Sequence, residues 1–68
     1  MKGYRFCEIL KELRINAGIG QVALAQKIGV SKGTISLWEN GLREPTMSNL
    51  IALSEFFGLS IDELVGLK

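Results

Sequence analysis

"QVALAQKIGVSKGTISLWENG", residues 21–41, holds two short apolar patterns separated by a few residues around Gly29. In the first, Leu24, Ala25 and Ile28 fall on one face, which predicts a helix over about 21–28 that stops at Gly29, a residue free to take left-handed φ. In the second, Ser31 stands where an N-cap belongs, Val30 and Ile35 have the spacing of a hydrophobic staple, and Gly41 supplies the stop. Ala25, four residues before Gly29, is small where two helices joined so tightly must cross, and Ile28 and Ile35 would fill the angle between them. Two helices set at roughly 90–120° by a tight turn containing glycine are a helix-turn-helix.

Working outward, Phe6, Ile9, Leu10, Leu13 and Ala17 recur at steps of three and four and predict a first helix from about Tyr4 to Ala17, ending at Gly18. After "LREP" Pro45 bars continuation, and Thr46 can cap a fourth helix from about Met47 to Phe57. With Leu50, Ile51, Leu53, Phe56 and Phe57 apolar nearly all round, that helix reads as a central element packed on several neighbours. Ser60 and Glu63 have the spacing of a capping box, with Leu59 and Leu64 as its staple, so a fifth helix starts at Ile61. No segment alternates apolar and polar residues over a strand's length. The expectation is an all-α fold of five short helices in one domain, residues 1–68.

A chain of 68 residues is too short for more than one domain, and a domain of that size buries only about 60% of its unfolded surface. Its core must be dense, which 47% hydrophobic residues and a single proline allow. Cys7 is the lone cysteine, which excludes a disulfide framework and paired-cysteine metal spacing and points to a reducing compartment. No apolar run approaches the roughly 20 residues needed to cross a bilayer, and "MKGYRFCEIL" lacks a secretory signal, so a cytoplasmic protein is expected. An enzyme is not expected, because the absence of histidine removes the commonest general base and metal ligand together. Asp62 and Glu63 are accounted for as first-turn acids favoured by the helix dipole, and no glycine-rich phosphate loop is present. No cofactor, metal or small-molecule ligand is expected.

The formal charge of +1 hides an asymmetry. Residues 1–43 carry seven Lys or Arg against three Glu, and residues 44–68 carry one Lys against four acids. A polyanion facing the first part fits that split. On a step of about 100° per residue, Lys32, Gly33, Ser36, Leu37 and Asn40 fall within one arc of the third helix, and Thr34, Ile35 and Trp38 on the other. The second arc reads as core, so Trp38 is a packing residue and not a platform for a base.

From Gly20 to Leu64 the chain resembles the DNA-binding domain of the phage-repressor and Cro-type helix-turn-helix family (XRE-like). The residues that carry the likeness are Gln21, Ala25, Gly29, Ile35, "ENG" at 39–41, Pro45 and "GLSIDEL" at 58–64, and with the first helix it spans nearly the whole chain. The resemblance implies a lambda-repressor-like fold and a sequence-specific transcriptional regulator of double-stranded DNA, acting as a repressor on a palindromic operator. In that family the third helix lies in the major groove, the second crosses the phosphate backbone, and two subunits read half-sites about one turn apart. Carried onto this chain, Lys32, Gly33, Ser36 and Leu37 become base-facing residues. Lys32 can donate to guanine O6 or N7, Leu37 can meet the thymine methyl, and Gly33 leaves room for close approach. Gln21, Asn40, the amide of Gly41 and Arg43 become phosphate ligands, although Glu44 beside Arg43 would partly neutralise it. Arg14 and Glu39 match an arginine–carboxylate pair that links the first helix to the third. A homodimer, formed on DNA if not before, is expected, with Val65, Leu67 and the end of the fourth helix as its interface. The competing reading is a helical interaction module of the same fold that pairs with another regulator and has lost DNA binding.

Overall fold

Trp38 is 1% exposed, in a core to which all five helices contribute residues. The computed structural model describes residues 5–67 and gives the order α1 (Phe6–Asn16), α2 (Gln21–Ile28), α3 (Lys32–Glu39), α4 (Met47–Phe57) and α5 (Ile61–Val65), with no strand among the described residues. α3 packs on both α1 and α2, α4 lies mainly on α2 and α5, and α5 returns to α1. The core consists of Phe6, Leu10, Leu24, Ala25, Ile35, Trp38, Leu50, Leu53, Leu64 and Val65. Phe6 meets Trp38 edge-on, with ring centroids 6.2 Å apart, the arrangement favoured by aromatic quadrupoles. The indole N–H of Trp38 has no acceptor among the described residues.

Local chemistry explains where the helices start. Ser31, Thr46 and Ser60 each accept a hydrogen bond from the amide three residues on, and Glu63 returns the bond to the Ser60 amide, completing the capping box. That closure suits α5, because its five residues have little helical hydrogen bonding of their own.

The helix ends share a pattern that residue-by-residue reading does not bring out. Each of the five ends on a glycine of positive φ followed by an aliphatic residue: Gly18–Ile19, Gly29–Val30, Gly41–Leu42, Gly58–Leu59 and Gly66–Leu67. In every case the aliphatic amide donates to a carbonyl five residues back, at 2.8 to 3.3 Å, the longer bond of a Schellman motif. Ile19, Val30 and Leu59 fold onto the core. Leu42 and Leu67 stay in solvent, Leu42 at 73% exposure.

Two expectations need correction. α1 ends one residue earlier than its periodicity suggests, with Ala17 as an exposed C-cap, because the chain leaves the core at its last turn; the expected start at Tyr4 lies outside the described residues. α4 has the expected bounds but is not surrounded. Leu50 and Leu53 are buried and Phe57 packs beside them, whereas Met47, Ile51 and Phe56 are exposed. An edge helix with main neighbours on one side buries one face, whatever the composition of the other.

Candidate nucleic-acid interface

The outer face of α3 is framed by what holds its inner face. Ile35 and Trp38 anchor the helix in the core, leaving Lys32, Gly33 and Asn40 exposed and Ser36 and Leu37 half-buried. Leu37 is not part of the core cluster. Lys32 makes no hydrogen bond or ion pair among the described residues. Asn40 Nδ2 donates to Ser36 Oγ at 3.3 Å, one turn back, which leaves the Ser36 hydroxyl proton and the Asn40 carbonyl oxygen available. At the start of the helix, Ser31 Oγ accepts from the Thr34 amide at 3.1 Å and lies 2.9 Å from Thr34 Oγ1. Thr34 is therefore half-buried and engaged with the cap, not packed in the core with Ile35 and Trp38.

A polar network under the turn between α1 and α2 sets the orientation of α3. Arg14 Nε donates to Glu39 Oε2 at 2.7 Å and Arg14 Nη2 to Glu39 Oε1 at 3.2 Å, a two-pronged pair. The third guanidinium nitrogen, Nη1, donates to the carbonyl of Ile19 at 3.0 Å. Arg14 is thus bonded both to the C-terminal turn of α3 and to the turn leading into α2. The side chains are 13% and 4% exposed, respectively, so the pair is largely removed from water. The hydrogen bonding of Arg14 to the Glu39 carboxylate, opposed by burial and aided by the carboxylate's charge, holds the Arg14 pKa above its ordinary value.

Gln21 joins this network: its Nε2 donates to Glu39 Oε1 at 3.1 Å. A side-chain amide nitrogen carries two hydrogens, so one is engaged inside the molecule and the other is left over. The link spans 18 residues, which is why no local pattern announces it.

The turn after α3 corrects one expected role. The amide of Gly41 donates to the carbonyl of Trp38 at 3.2 Å, and the Leu42 amide to that of Leu37 at 2.9 Å. Gly41 N–H is therefore already engaged, and its contribution is to the shape of the turn. Its φ of +72° is one that only glycine adopts readily, and a Cβ there would lie 3.8 Å from Cys7 Sγ of α1. The first amide beyond this turn with no acceptor among the described residues belongs to Arg43, whose side chain is exposed. Asn40 and Arg43 thus flank a turn fixed by two backbone bonds.

Among the described residues no group of three or more His, Cys, Asp or Glu could hold a metal ion, and no helix is long and apolar enough to cross a membrane.

Comparison with known proteins agrees with this geometry. The chain is 42% identical over 60 residues to the HTH-type transcriptional activator BcrR of Enterococcus faecalis, a match covering 88% of this chain and 29% of that protein. It is 33% identical over 60 residues to the cryptic phage CTXphi transcriptional repressor RstR of Vibrio cholerae, covering 88% of this chain and 54% of the repressor. The chain therefore spans about a third to a half of these regulators. Its structure resembles that of the P22 c2 repressor, solved in complex with a synthetic operator, with a TM-score of 0.84 and 38% identity over 88% of this chain and 91% of that one. The helix-turn-helix family model matches residues 10–64, which takes in all of α2, α3 and α4 and most of α1 and α5. On that match, and on a fold shared with a repressor domain of nearly the same length, the chain belongs to the helix-turn-helix family.

Proposed function

We propose that this chain binds duplex DNA sequence-specifically as a homodimer on a palindromic operator and regulates transcription as a repressor. The observation that carries the reading is the outward arc of α3. Lys32, Ser36, Leu37 and Asn40 stand on the side opposite Ile35 and Trp38, in a chain 38% identical to a repressor solved with its operator. Inserted into a major groove about 12 Å wide, that arc presents an ammonium to guanine O6 or N7, a hydroxyl to either base type, and an aliphatic end to the thymine methyl. Gln21, through its second amide hydrogen, and Asn40 and Arg43, on either side of the Gly41 turn, hold the flanking phosphates. Both a named activator and a named repressor are similar to this chain. Repression is the sign favoured by the likeness to RstR and the P22 c2 repressor.

For the dimer, Leu67 and the end of α4 at Phe56 supply exposed apolar surface. Val65, expected in that interface, is only 6% exposed and belongs to the core, while its carbonyl accepts from the Arg5 amide at 3.3 Å. A cytoplasmic location goes with this reading, because a regulator of transcription acts where the chromosome is.

Fluorescence anisotropy on DNA fragments selected from a genomic library tests the reading. If each subunit meets about three to five phosphates, the dimer's log affinity falls against log salt with a slope of roughly −5 to −9. Ultracentrifugation with and without the palindromic fragment reads the stoichiometry. Absence of binding at about 50 mM salt, where phosphate contacts are strong, would replace this reading with that of a protein-interaction module.

A further inference from the structure

The side chains of α3 differ in what they have left to offer a base. Lys32 makes no hydrogen bond or ion pair among the described residues, and an ammonium carries donors only. Leu37 carries neither donor nor acceptor. The two hydroxyls of the helix are in different states. Thr34 Oγ1 lies 2.9 Å from Ser31 Oγ and is engaged with the cap. Ser36 Oγ accepts from Asn40 Nδ2 at 3.3 Å, and its own proton has no acceptor among the described residues.

That bond gives the serine a polarity. A hydroxyl has one proton and two lone pairs, and Asn40 occupies one of the lone pairs. A base acceptor meeting Ser36 takes the free proton and leaves only a lone pair unused. A base amino group must use the second lone pair, which closes the contact over a proton with no partner, the costly defect in a desolvated site. In the major groove guanine shows only acceptors, O6 and N7, and thymine shows O4, whereas cytosine shows the N4 amino group. Adenine shows its N7 beside an N6 amino group, for which neither Lys32 nor Leu37 has an acceptor. We propose that Asn40 is a positioning residue that makes Ser36 a hydrogen-bond donor, so that the base facing Ser36 is guanine or thymine. Asn40 can do this and still hold a phosphate, because its nitrogen carries a second hydrogen. The inference rests on the DNA-binding reading and narrows it, from a hydroxyl that suits any base to one that suits a keto base.

The operator selected from the genomic library, remade with each of the four bases at every half-site position, tests it by anisotropy with the wild type and three variants. Ser36→Ala marks the position that Ser36 faces, as the one where discrimination among bases falls. There the wild type should favour guanine or thymine over cytosine by about tenfold. Asn40→Ala, which removes the donor without adding charge, should shrink that preference. Asn40→Asp should reverse it. A carboxylate can only accept, so it takes the serine proton and turns a lone pair outward, to which cytosine N4 or adenine N6 can donate. Loss of the Asn40 phosphate contact weakens both Asn40 variants on every base alike and cancels in the ratio, and a purely structural role of Asn40 would not exchange one base for another. If Asn40→Asp binds too weakly to rank the bases, Asn40→Ala decides, and an undiminished preference in it overturns the proposal. An unchanged base order in Asn40→Asp, a wild-type preference for cytosine or adenine at the marked position, or full discrimination everywhere in Ser36→Ala also overturns it, while the DNA-binding reading stands. Failure of the wild type itself to retain any fragment at low salt defeats the DNA-binding reading instead.

Discussion

Within eight residues α3 carries two faces under opposite demands. Ile35 and Trp38 on the inside are fully buried and are judged by how well they fill space. Lys32, Ser36 and Leu37 on the outside have few or no partners in the chain, so the fold exerts little selection on them. Glu39 stands between the two faces. It is nearly buried, yet all its hydrogen-bond donors are polar side chains from α1 and α2. A short helix can therefore be held rigidly along one side and left chemically uncommitted along the other. Substitutions should sort accordingly, moving stability from the inner face and affinity from the outer.

The largest effect is expected at Trp38. Trp38→Ala should cost about 3–5 kcal/mol, a large share of the stability available to a small domain, and urea melts should show a chain mostly unfolded or close to it. Trp38→Phe should cost much less, because it removes the unpartnered indole N–H while keeping an aromatic ring near Phe6. A Trp38→Ala protein with wild-type stability would break the comparison at its inner face.

Next comes the network beneath it. Arg14→Ala leaves the Glu39 carboxylate nearly buried with only Gln21 for a partner and should cost about 3 kcal/mol. Glu39→Ala should cost less, since Arg14 keeps the Ile19 carbonyl and some contact with water. An unchanged melting midpoint for Glu39→Ala would sink the idea that the pair holds α3 in place. Because the Arg14 pKa is raised by folding, its contribution is complete below the ordinary arginine range and is lost only as pH climbs through the still higher folded value. Stability attributable to this pair should therefore be flat from neutral to moderately alkaline pH, which thermal melts at several pH values will check.

On the outer face the expected change is in affinity. Leu37→Ala should weaken binding to the preferred operator by about 1–3 kcal/mol and barely alter nonspecific binding, with little change in melting because Leu37 lies outside the core cluster. Exchanging the contacted thymine for uracil should reproduce most of that loss in the wild type and add little in the variant. Equal losses in both proteins would show that Leu37 does not read a methyl group.

The smallest effect is at the boundary of the two faces. Ser31→Ala removes the cap from α3 and should cost about 1 kcal/mol, with an affinity change no larger than the shift in folded fraction.

What could be read in advance follows the reach of each interaction. The Ser60–Glu63 capping box, the stops at Gly29 and Gly58, and the inner position of Trp38 depend on residues within a few places of one another, and a linear pattern exposes them. The Gln21–Glu39 bond depends on how α2 crosses α3, so its residues carry no shared local signature. Ile51 and Phe56 belong to an apolar pattern that suits a covered helix, and only the positions of the neighbours decide that they are exposed. Val65 fails in the opposite sense, as one of two aliphatic residues near the end of the chain of which the packing of α5 on α1 claimed one. The amide of Gly41 was legible as a turn amide, but its acceptor is set by the geometry of the helix end.

The recurring glycine–aliphatic ends bear on how quickly such a chain finds its structure. Every helix is stopped by a bond that spans five residues, so the stop is a local contact that needs no second helix. Chains dominated by contacts this local fold in microseconds to milliseconds, because little loop-closure entropy must be lost before native contacts form. The slow events left to this protein are the two long closures, Arg14 to Glu39 across 25 residues and the Arg5 amide to the Val65 carbonyl across nearly its whole length. Helices with built-in stops would assemble first, and the joining of α1 to α3 and α5 would then set the pace of folding.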